Sequence, residues 1–184
     1  MTLRLARTSA EAYLYMELHP CERCGESDFE PVSAVVSVQG DLASRYTGAC
    51  PSCGNEREFM FRIPERPLLV DPENPQFGAD RPSELLDPGE WLWVADTIAS
   101  GVPANPDGLS AEQRRDARVD LRGAAAAVGE VLKFIPPDAD AVPFEAFDSD
   151  RGREVYQTEP GRFRRARLEA VAQTYRELAE RFAT

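Results

Sequence analysis

All four cysteines of the chain lie in two short units of the same pattern, and this pattern constrains the fold more than any other feature. The units are Cys21-Glu22-Arg23-Cys24-Gly25 and Cys50-Pro51-Ser52-Cys53-Gly54, and 25 residues, from Gly25 to Ala49, separate Cys24 from Cys50. Each unit can present two thiolates from a tight turn, and four sulfurs close a tetrahedral site with no position left for water or substrate. The sequence therefore predicts a structural metal site formed by Cys21, Cys24, Cys50 and Cys53.

The glycine that follows each second cysteine supports a metal site. A turn of this kind requires one residue with a positive φ, which glycine adopts at little cost, and Gly25 and Gly54 occupy that position. The alternatives are two disulfides or four buried thiols. Paired CxxC spacing is typical of metal sites, so we favour metal over both alternatives.

Two CxxCG units joined by an apparent β-hairpin resemble the zinc ribbon, and the resemblance covers about residues 18–63. It implies zinc as the metal and a small antiparallel sheet as the scaffold. The units are also similar to the knuckles of rubredoxin, in which the same four sulfurs hold an iron that carries an electron. Zinc ribbons serve many functions, so the resemblance indicates how this part of the chain is held together and leaves its function open.

Hydrophobic alternation predicts three strands around the cysteine units. Residues 32–38 place Val32, Ala34, Val36 and Val38 on one face, which predicts a half-buried strand. A turn at Gly40-Asp41, a return strand over 42–49 and a third strand over 56–63 complete a three-stranded antiparallel sheet. Because so small a sheet cannot cover both of its faces, we expect the first or the last helix to cover one of them.

A capping box formed by Thr8 and Glu11 predicts a helix that ends before Pro20. His19, the only histidine of the chain, follows this helix and comes two residues before Cys21. It is an alternative metal ligand or base. Since four cysteines already fill the site, we expect His19 to have a capping or packing role.

Residues 64–109 form a proline-rich acidic connector, with two arginines and nine acidic residues for a net charge of −7. A helix from about Pro88 to Ser100 is predicted within it, begun by Asp87 and Pro88. This helix contains Trp91 and Trp93, which lie two residues apart and cannot both face the core. One of the two is therefore a candidate anchor for a partner, although both can also be at least partly buried.

Residues 110–184 are predicted to be mainly helical. A capping box of Ser110 and Gln113 begins a helix that runs to about Ile135, and residues 136–160 are predicted to be a long loop. The last helix, over 161–182, has an apolar stripe that predicts packing within the protein. The stripe consists of Leu168, Val171, Tyr175, Leu178 and Phe182.

Taken together, these patterns predict an α+β fold in which an N-terminal helix and the zinc ribbon pack with a C-terminal, mostly helical part. The expected divisions are 1–63, the helix with the ribbon; 64–109, the connector; and 110–184, the helical region. None of these patterns determines the oligomeric state.

The C-terminal part reverses the charge balance of the chain. Residues 151–184 contain eight arginines and five acidic residues, a net charge of +3, and most of these arginines precede or begin the last helix. Positive charge at a helix start opposes the helix dipole, which indicates an anionic partner. That partner is either the acidic segment 64–109 of the same chain or an external phosphate or acid. The candidate contact residues are Arg162, Arg164 and Arg165.

Charge and composition narrow the classes of function. The net charge of −11 opposes approach to generic nucleic acid and to anionic membranes, so we expect a basic or neutral protein partner. The sequence contains no Walker loop, GxGxxG, HExxH or GxSxG motif, so nothing in it predicts an enzyme. The N-terminal residues lack the apolar h-region of a signal peptide, and no apolar run is long enough to span a bilayer, so we expect a cytoplasmic protein.

Three functions remain open on the sequence. The first is a zinc-stabilised protein-binding module with an acidic surface, such as an immunity or antitoxin-like protein or an anti-regulator. The second is a zinc-ribbon protein that binds nucleic acid or the transcription machinery through the cluster from Arg151 to Arg167. The third is a rubredoxin-like electron carrier that holds iron instead of zinc.

Overall fold

The computed structural model describes residues 3–66, 68 and 71–183, and the fold is α+β, as the sequence predicts. Two short 3-10 helices, Phe144–Ala146 and Pro160–Phe163, accompany the main elements. The main elements in chain order are α1 (Ser9–Leu18), β1 (Val32–Val38), β2 (Asp41–Ala49), β3 (Glu56–Arg62), α2 (Pro88–Ser100), α3 (Ala111–Leu132), α4 (Asp150–Thr158) and α5 (Arg165–Arg181).

The chain divides into two compact units. The sheet unit comprises residues 1–68 with 83–85, and the helical unit comprises residues 69–82 with 86–184. Residues 83–85, which lie in the acidic connector, therefore belong to the sheet unit, while α2, from the same connector, belongs to the helical unit. The boundaries expected after residues 63 and 109 remain predictions.

The sheet is antiparallel with strand order β1-β2-β3. The turn between β1 and β2 consists of Gln39 and Gly40, whose φ angles are 53° and 94°, so that Val38 pairs with Asp41. The turn therefore comes one residue earlier than the sequence predicts. Two-residue hairpins favour two consecutive positive φ angles, since that geometry matches the twist of the strands.

Helix α1 covers one face of β2 and β3, which confirms that the first helix packs on the sheet. Tyr13 of α1 meets Tyr46 of β2 edge-on, with ring centroids 5.6 Å apart. Tyr15 makes similar contacts with Phe59 and Phe61 of β3, at 6.2 Å and 5.4 Å. These ring contacts place α1 over strands β2 and β3.

A buried ion pair fixes the start of α1. The Thr8 hydroxyl accepts the N–H of Glu11 at 3.1 Å, as the capping box predicts. The Glu11 carboxylate in turn accepts the backbone N–H of Arg7 at 2.7 Å and meets the Arg7 guanidinium at 2.6 Å. Ser83 adds a hydroxyl donor to the same carboxylate at 2.6 Å. Both charges are buried, so the Arg7 guanidinium and the Glu11 carboxylate each need the other as an oppositely charged hydrogen-bond partner.

Strand β1 is half-buried only in its second part: on the face that alternation predicts to be covered, Val36 and Val38 are half-buried, while Val32 and Ala34 are exposed. Val32 is 74% exposed and Val35 is 66% exposed, although they point to opposite faces of the sheet. Helix α1 makes its ring contacts with β2 and β3, and β1 lies at the sheet edge beyond them. Alternation determines which side of the sheet a side chain faces, but it does not determine whether another element covers that side.

The core of the helical unit forms where α3 meets α2 and α5. Helix α3 buries one apolar stripe, which consists of Ala117, Leu121, Ala124, Val128 and Val131. The α5 stripe packs within the same unit, as predicted: Leu168 and Phe182 are buried, and Val171, Tyr175 and Leu178 are half-buried. Within the described residues, no helix is both long enough and apolar enough to span a bilayer.

Residues 136–160 are not the continuous loop that the sequence predicts, since they contain the nine-residue helix α4. The Ser149 hydroxyl caps this helix by accepting the N–H of Gly152 at 2.8 Å. The sequence does not indicate this helix, because the segment contains Gly152 and is mainly polar. A short helix of that kind is stable mainly through tertiary contacts. Of the two phenylalanines in this segment, Phe147 is buried and Phe144 is 50% exposed.

A single carboxylate connects the starts of α2 and α4. Asp87 caps α2, as predicted, by accepting the N–H groups of Gly89 and Glu90, both at 2.9 Å. Its other oxygen accepts the N–H groups of Asp148 and Ser149, at 3.1 Å and 2.9 Å, and the Ser149 hydroxyl at 2.8 Å. The buried charge is thus satisfied by donors from both sides.

Two glycines make this arrangement possible. A Cβ at Gly89 would collide with the backbone of Gly152, and a Cβ at Gly152 would collide with the Asp87 carboxylate. The two helices approach this closely only because neither position has a side chain.

Glu90 is a second buried carboxylate at the same place, and it completes the capping box by accepting the N–H of Asp87 at 3.0 Å. Burial raises the pKa of Glu90 to about 7; the carboxylates of Asp87 and Asp148 act in the same direction, and Arg151 opposes them. The folded state therefore favours the protonated form of Glu90.

We expect Glu90→Gln to stabilise the protein above pH 7 and to have little effect near pH 5. The folded pKa lies above the unfolded value, so the contribution of Glu90 is present at low pH and is lost as the pH rises through about 7. Glutamine retains the acceptor for Asp87 without a charge. The gain in unfolding free energy above pH 8 is up to about 3 kcal/mol.

Thermal and urea unfolding of the parent and the variant from pH 5 to pH 8.5 measure this difference. Glu169→Gln, which changes an exposed carboxylate on α5, is the matched control. A Glu90→Gln effect that does not vary with pH would contradict the assignment.

Candidate metal centre

The four cysteine sulfurs converge at one end of the sheet. Cys21 and Cys24 lie between α1 and β1, and Cys50 and Cys53 lie between β2 and β3. Their Sγ atoms are all within 4.8 Å of one another, and no other histidine, cysteine or acidic residue among those described joins this cluster. The antiparallel hairpin of β1 and β2 brings the two pairs together, because its two strands are of similar length.

The spacing of the sulfurs matches a metal tetrahedron. Cys21 Sγ lies 3.7 Å from Cys53 Sγ, and Cys24 Sγ lies 3.5 Å from Cys50 Sγ. A zinc ion with Zn–S bonds of about 2.3 Å requires sulfur–sulfur distances of about 3.8 Å. A disulfide requires about 2.05 Å, and the four cysteines are free thiols. The arrangement can therefore hold a metal ion such as zinc.

Both knuckles have the same backbone geometry. The Cys21 carbonyl accepts the N–H of Gly25 at 2.8 Å, and the Cys50 carbonyl accepts the N–H of Gly54 at 2.9 Å. Gly25 and Gly54 have φ angles of 76° and 69°, as their places in the two units predict. In the first knuckle, the N–H groups of Arg23 and Cys24 are directed towards the Cys21 sulfur.

The electrostatics of the cluster favour a bound cation. Burial raises the pKa of the Cys21 thiol, but the N–H groups of Arg23 and Cys24 and the neighbouring thiols lower it more, to about 6. The N–H of Glu26 lowers the pKa of Cys24, yet the surrounding cysteines raise it to about 12. The lowered pKa means that the Cys21 thiolate forms readily, and the raised pKa of Cys24 means that this thiol ionises only when a positive charge lies nearby.

Two polar contacts outside the cysteines brace the site, and sequence reasoning missed both. The Ser52 hydroxyl, in the second knuckle, donates to the Glu26 carboxylate, just after the first knuckle, at 2.5 Å. Ser52 and the N–H of Asp28 hold the pKa of Glu26 below its usual range. The bond joins the two knuckles independently of the sulfurs.

The second brace is the buried guanidinium of Arg57 on β3. It donates to the carbonyls of Met16 and His19, at 3.1 Å and 2.7 Å, and lies 4.2 Å from the ring centre of Phe29. It therefore connects the end of α1, the loop before β1, and the strand after the second knuckle. Alternation could have indicated that Arg57 is buried, because Arg57 lies on the same face of β3 as the apolar residue Phe59.

His19 packs on α1, as expected for a residue outside the cluster. Its Nδ1 lies 2.8 Å from the Tyr15 carbonyl oxygen, and its ring stacks on the Tyr15 ring with centroids 3.8 Å apart. The only histidine of the chain is therefore held by the helix that leads into the first knuckle.

The two tryptophans differ in exposure. Trp91 is fully buried, with its ring centre 5.0 Å from that of Phe77. Trp93 is 38% exposed, and the Arg151 guanidinium lies 4.5 Å from its ring centre. Trp93 is therefore the more accessible of the two for a partner, and a role in binding remains a prediction for both.

The arginines before α5 have different surroundings. Arg162 forms an ion pair with Asp96 at 2.6 Å, which is a contact with the acidic segment 64–109. The Arg165 guanidinium donates to the carbonyls of Pro136 and Ala139, at 3.1 Å and 3.4 Å. Arg164 is exposed. Their role in binding an external anion also remains a prediction.

We expect one zinc ion per chain, and we expect Cys50→Ser to lose it. Because a structural site closes only with all its ligands, this variant should be less stable by several kcal/mol. Elemental analysis of protein prepared without chelator measures zinc and iron together, and thermal unfolding measures the stability.

Glu22→Gln is the matched control, since it changes an exposed side chain of the first knuckle without removing a ligand or the contact between Ser52 and Glu26. Metal content near zero in the parent would contradict the site. Unchanged melting of Cys50→Ser would show that the metal is not structural, and a red, iron-containing sample would favour the rubredoxin-like alternative.

The cysteine cluster and the three-stranded antiparallel sheet are consistent with a zinc ribbon. Comparisons of the chain with protein-family models, with curated proteins and with solved structures found no match. The site is accordingly defined by its own geometry: four thiols at tetrahedral spacing, in two matching knuckles, that can hold a metal ion.

Proposed function

We propose that this chain is a cytoplasmic protein-binding module stabilised by structural zinc, whose acidic surface selects a basic or neutral protein partner. The observation that carries the proposal is the closed set of four sulfurs. Four thiolates fill the coordination of zinc, so the metal has no open position for substrate and serves the fold. Thiols that hold zinc also suit the reducing conditions of the cytoplasm.

Charge supports a protein partner over nucleic acid. The net charge of −11 opposes approach to a phosphate backbone, and complementary charge accelerates association with a basic protein. Several arginines that would contact nucleic acid instead meet acids of the chain itself. Arg162 meets Asp96, Arg167 meets Glu159 at 3.2 Å, and Arg153 meets Asp150 at 3.5 Å.

An acidic protein that binds a basic partner fits an immunity or antitoxin-like protein, or an anti-regulator. Such proteins act by occupying a surface, so they require a stable scaffold and no catalytic group. Zinc would supply the stability that a small sheet lacks.

Capture from a host lysate on the immobilised full-length protein tests this proposal. We expect the captured material to be protein that resists nuclease treatment and is released by raised salt, because charge attraction is screened. Mass spectrometry identifies the proteins, and extraction measures nucleic acid in the same eluate. We also expect no gel shift of duplex DNA at low micromolar protein in about 150 mM salt.

Charge reversal at Arg164, which is exposed, gives the discriminating control. If nucleic acid is captured and Arg164→Glu abolishes its capture, the nucleic-acid function replaces the proposed one. If Arg164→Glu leaves capture of protein unchanged, the result supports the proposal.

A further inference from the structure

Among the residues that the structure describes, no strand pairs with the outer edge of β1, and β1 lacks the features that usually protect a sheet edge. Its sequence, Val-Ser-Ala-Val-Val-Ser-Val, has no charge and no proline, and it pairs with β2 in unbroken register from Val32 to Val38. Edge strands of monomeric proteins usually carry a charge, a proline or a bulge that prevents pairing with another chain. Val32 and Val35 are also among the most exposed large apolar residues described.

The opposite edge of the sheet is protected. Strand β3 begins with Glu56, Arg57 and Glu58, so the first part of its edge is charged. At its end, the N-terminal segment covers the edge: Arg62 N–H donates to the Arg4 carbonyl at 2.9 Å, and Ala6 N–H donates to the Arg62 carbonyl at 3.1 Å. The contrast makes β1 the accessible edge of the described sheet.

The register determines which backbone groups of β1 point outwards. Ile63 N–H donates to the Leu42 carbonyl at 2.9 Å, so the backbone groups of Leu42 point towards β3. Ser37 lies opposite Leu42, and its N–H and C=O therefore point away from β2, towards the open edge. By alternation the same holds for Val35 and Ser33. Six hydrogen-bonding groups thus face outwards from exposed residues.

We propose that β1 pairs antiparallel with β1 of a second copy of the chain, across a two-fold axis at Val35. The sequence of the strand is nearly palindromic about Val35, so this register places similar residues opposite each other on both faces of the sheet. The outward-facing groups then bond in pairs. The opposed residues are Val35 with Val35, Ser33 with Ser37, Ala34 with Val36, and Val32 with Val38.

A second copy fits this edge better than a basic protein does. Since β1 has no carboxylate, a basic strand would find no opposite charge along it. The β1 strand of a second copy, by contrast, has the same length, the same valines and the same outward-facing hydrogen-bonding groups. Because each copy uses its accessible edge, a two-fold pair closes and growth stops at a dimer with a six-stranded sheet. This surface is separate from the proposed function, which concerns a different partner.

The expected dimer is weak and is strengthened by salt. Pairing two seven-residue edges buries a small interface, which corresponds to a dissociation constant in about the micromolar range. Each copy has a net charge of −11, so the two copies repel at low ionic strength, and salt screens that repulsion. Salt should therefore favour the dimer, whereas it should release a partner held by charge.

Sedimentation velocity of the zinc-loaded, full-length protein from about 1 to 200 µM brackets this affinity and tests the proposal. We expect the parent to shift from monomer to dimer as concentration rises. Val35→Lys should remain a monomer over this range, because two lysines would lie directly opposite each other at the axis.

The matched control is Leu42→Lys. Leu42 lies in the same hairpin, is 59% exposed against 66% for Val35, and is not on the edge strand. Leu42→Lys adds the same charge as Val35→Lys but leaves the edge strand unchanged, so this variant should dimerise like the parent. Retained zinc in both variants shows that the ribbon is folded.

Cross-linking tests the register independently. In an antiparallel hydrogen-bonded pair the opposed Cα atoms are about 5.5 Å apart, within the range of a disulfide. Val35→Cys should therefore form a disulfide dimer on mild oxidation with zinc bound. Ser37→Cys should not, because the two copies of that residue would lie roughly 13 Å apart.

Three outcomes overturn the proposal. They are a parent that is monomeric at the highest concentration, a Val35→Lys variant that dimerises like the parent, and equal cross-linking of the two cysteine variants. Failure of lysate capture would overturn the proposed function and leave these measurements unaffected, so the two hypotheses are tested separately.

Discussion

The structure of the sheet unit depends on the convergence of four sulfurs at one end of a hairpin. Three strands and one helix bury little apolar surface, and a sheet of that size is marginal without additional constraint. The cysteines link the segment after α1 to the segment after β2, so a bound metal would fix both ends of the hairpin at once. Arg57 and the contact between Ser52 and Glu26 then hold the two knuckles in place from outside the sulfur cluster.

Much of the local structure could be predicted from the sequence. The cysteine spacing predicted the cluster, and the caps Thr8, Asp87 and Ser110 predicted the starts of three helices. These signals succeed because each acts over a few neighbouring residues, where covalent geometry and backbone hydrogen bonds determine the outcome. Alternation predicted the bounds of β1, and those of β2 and β3 to within one residue.

The predictions failed where contacts between residues far apart in the sequence determine the structure. Strand β1 alternates like a half-buried strand, yet its exposure depends on where α1 packs. Helix α4 exists because Asp87, more than 60 residues earlier in the chain, bonds to Asp148 and to Ser149, the residue that caps the helix. Arg57 looked like an ordinary polar residue of a strand, and its importance appears only when the carbonyls at the end of α1 are brought to it.

The assignment of residues 83–85 to the sheet unit has a consequence for synthesis on the ribosome. Ser83 bonds to the buried Glu11 carboxylate, and Glu84 accepts the N–H of Leu5 at 2.9 Å. All four cysteines leave the ribosome well before these residues do. If the cluster binds a metal ion, a nascent chain can therefore bind it while the buried charge of Glu11 still lacks its hydroxyl donor. Metal loading would then precede completion of the unit, and the metal would protect a partly built sheet until the rest of the chain arrives.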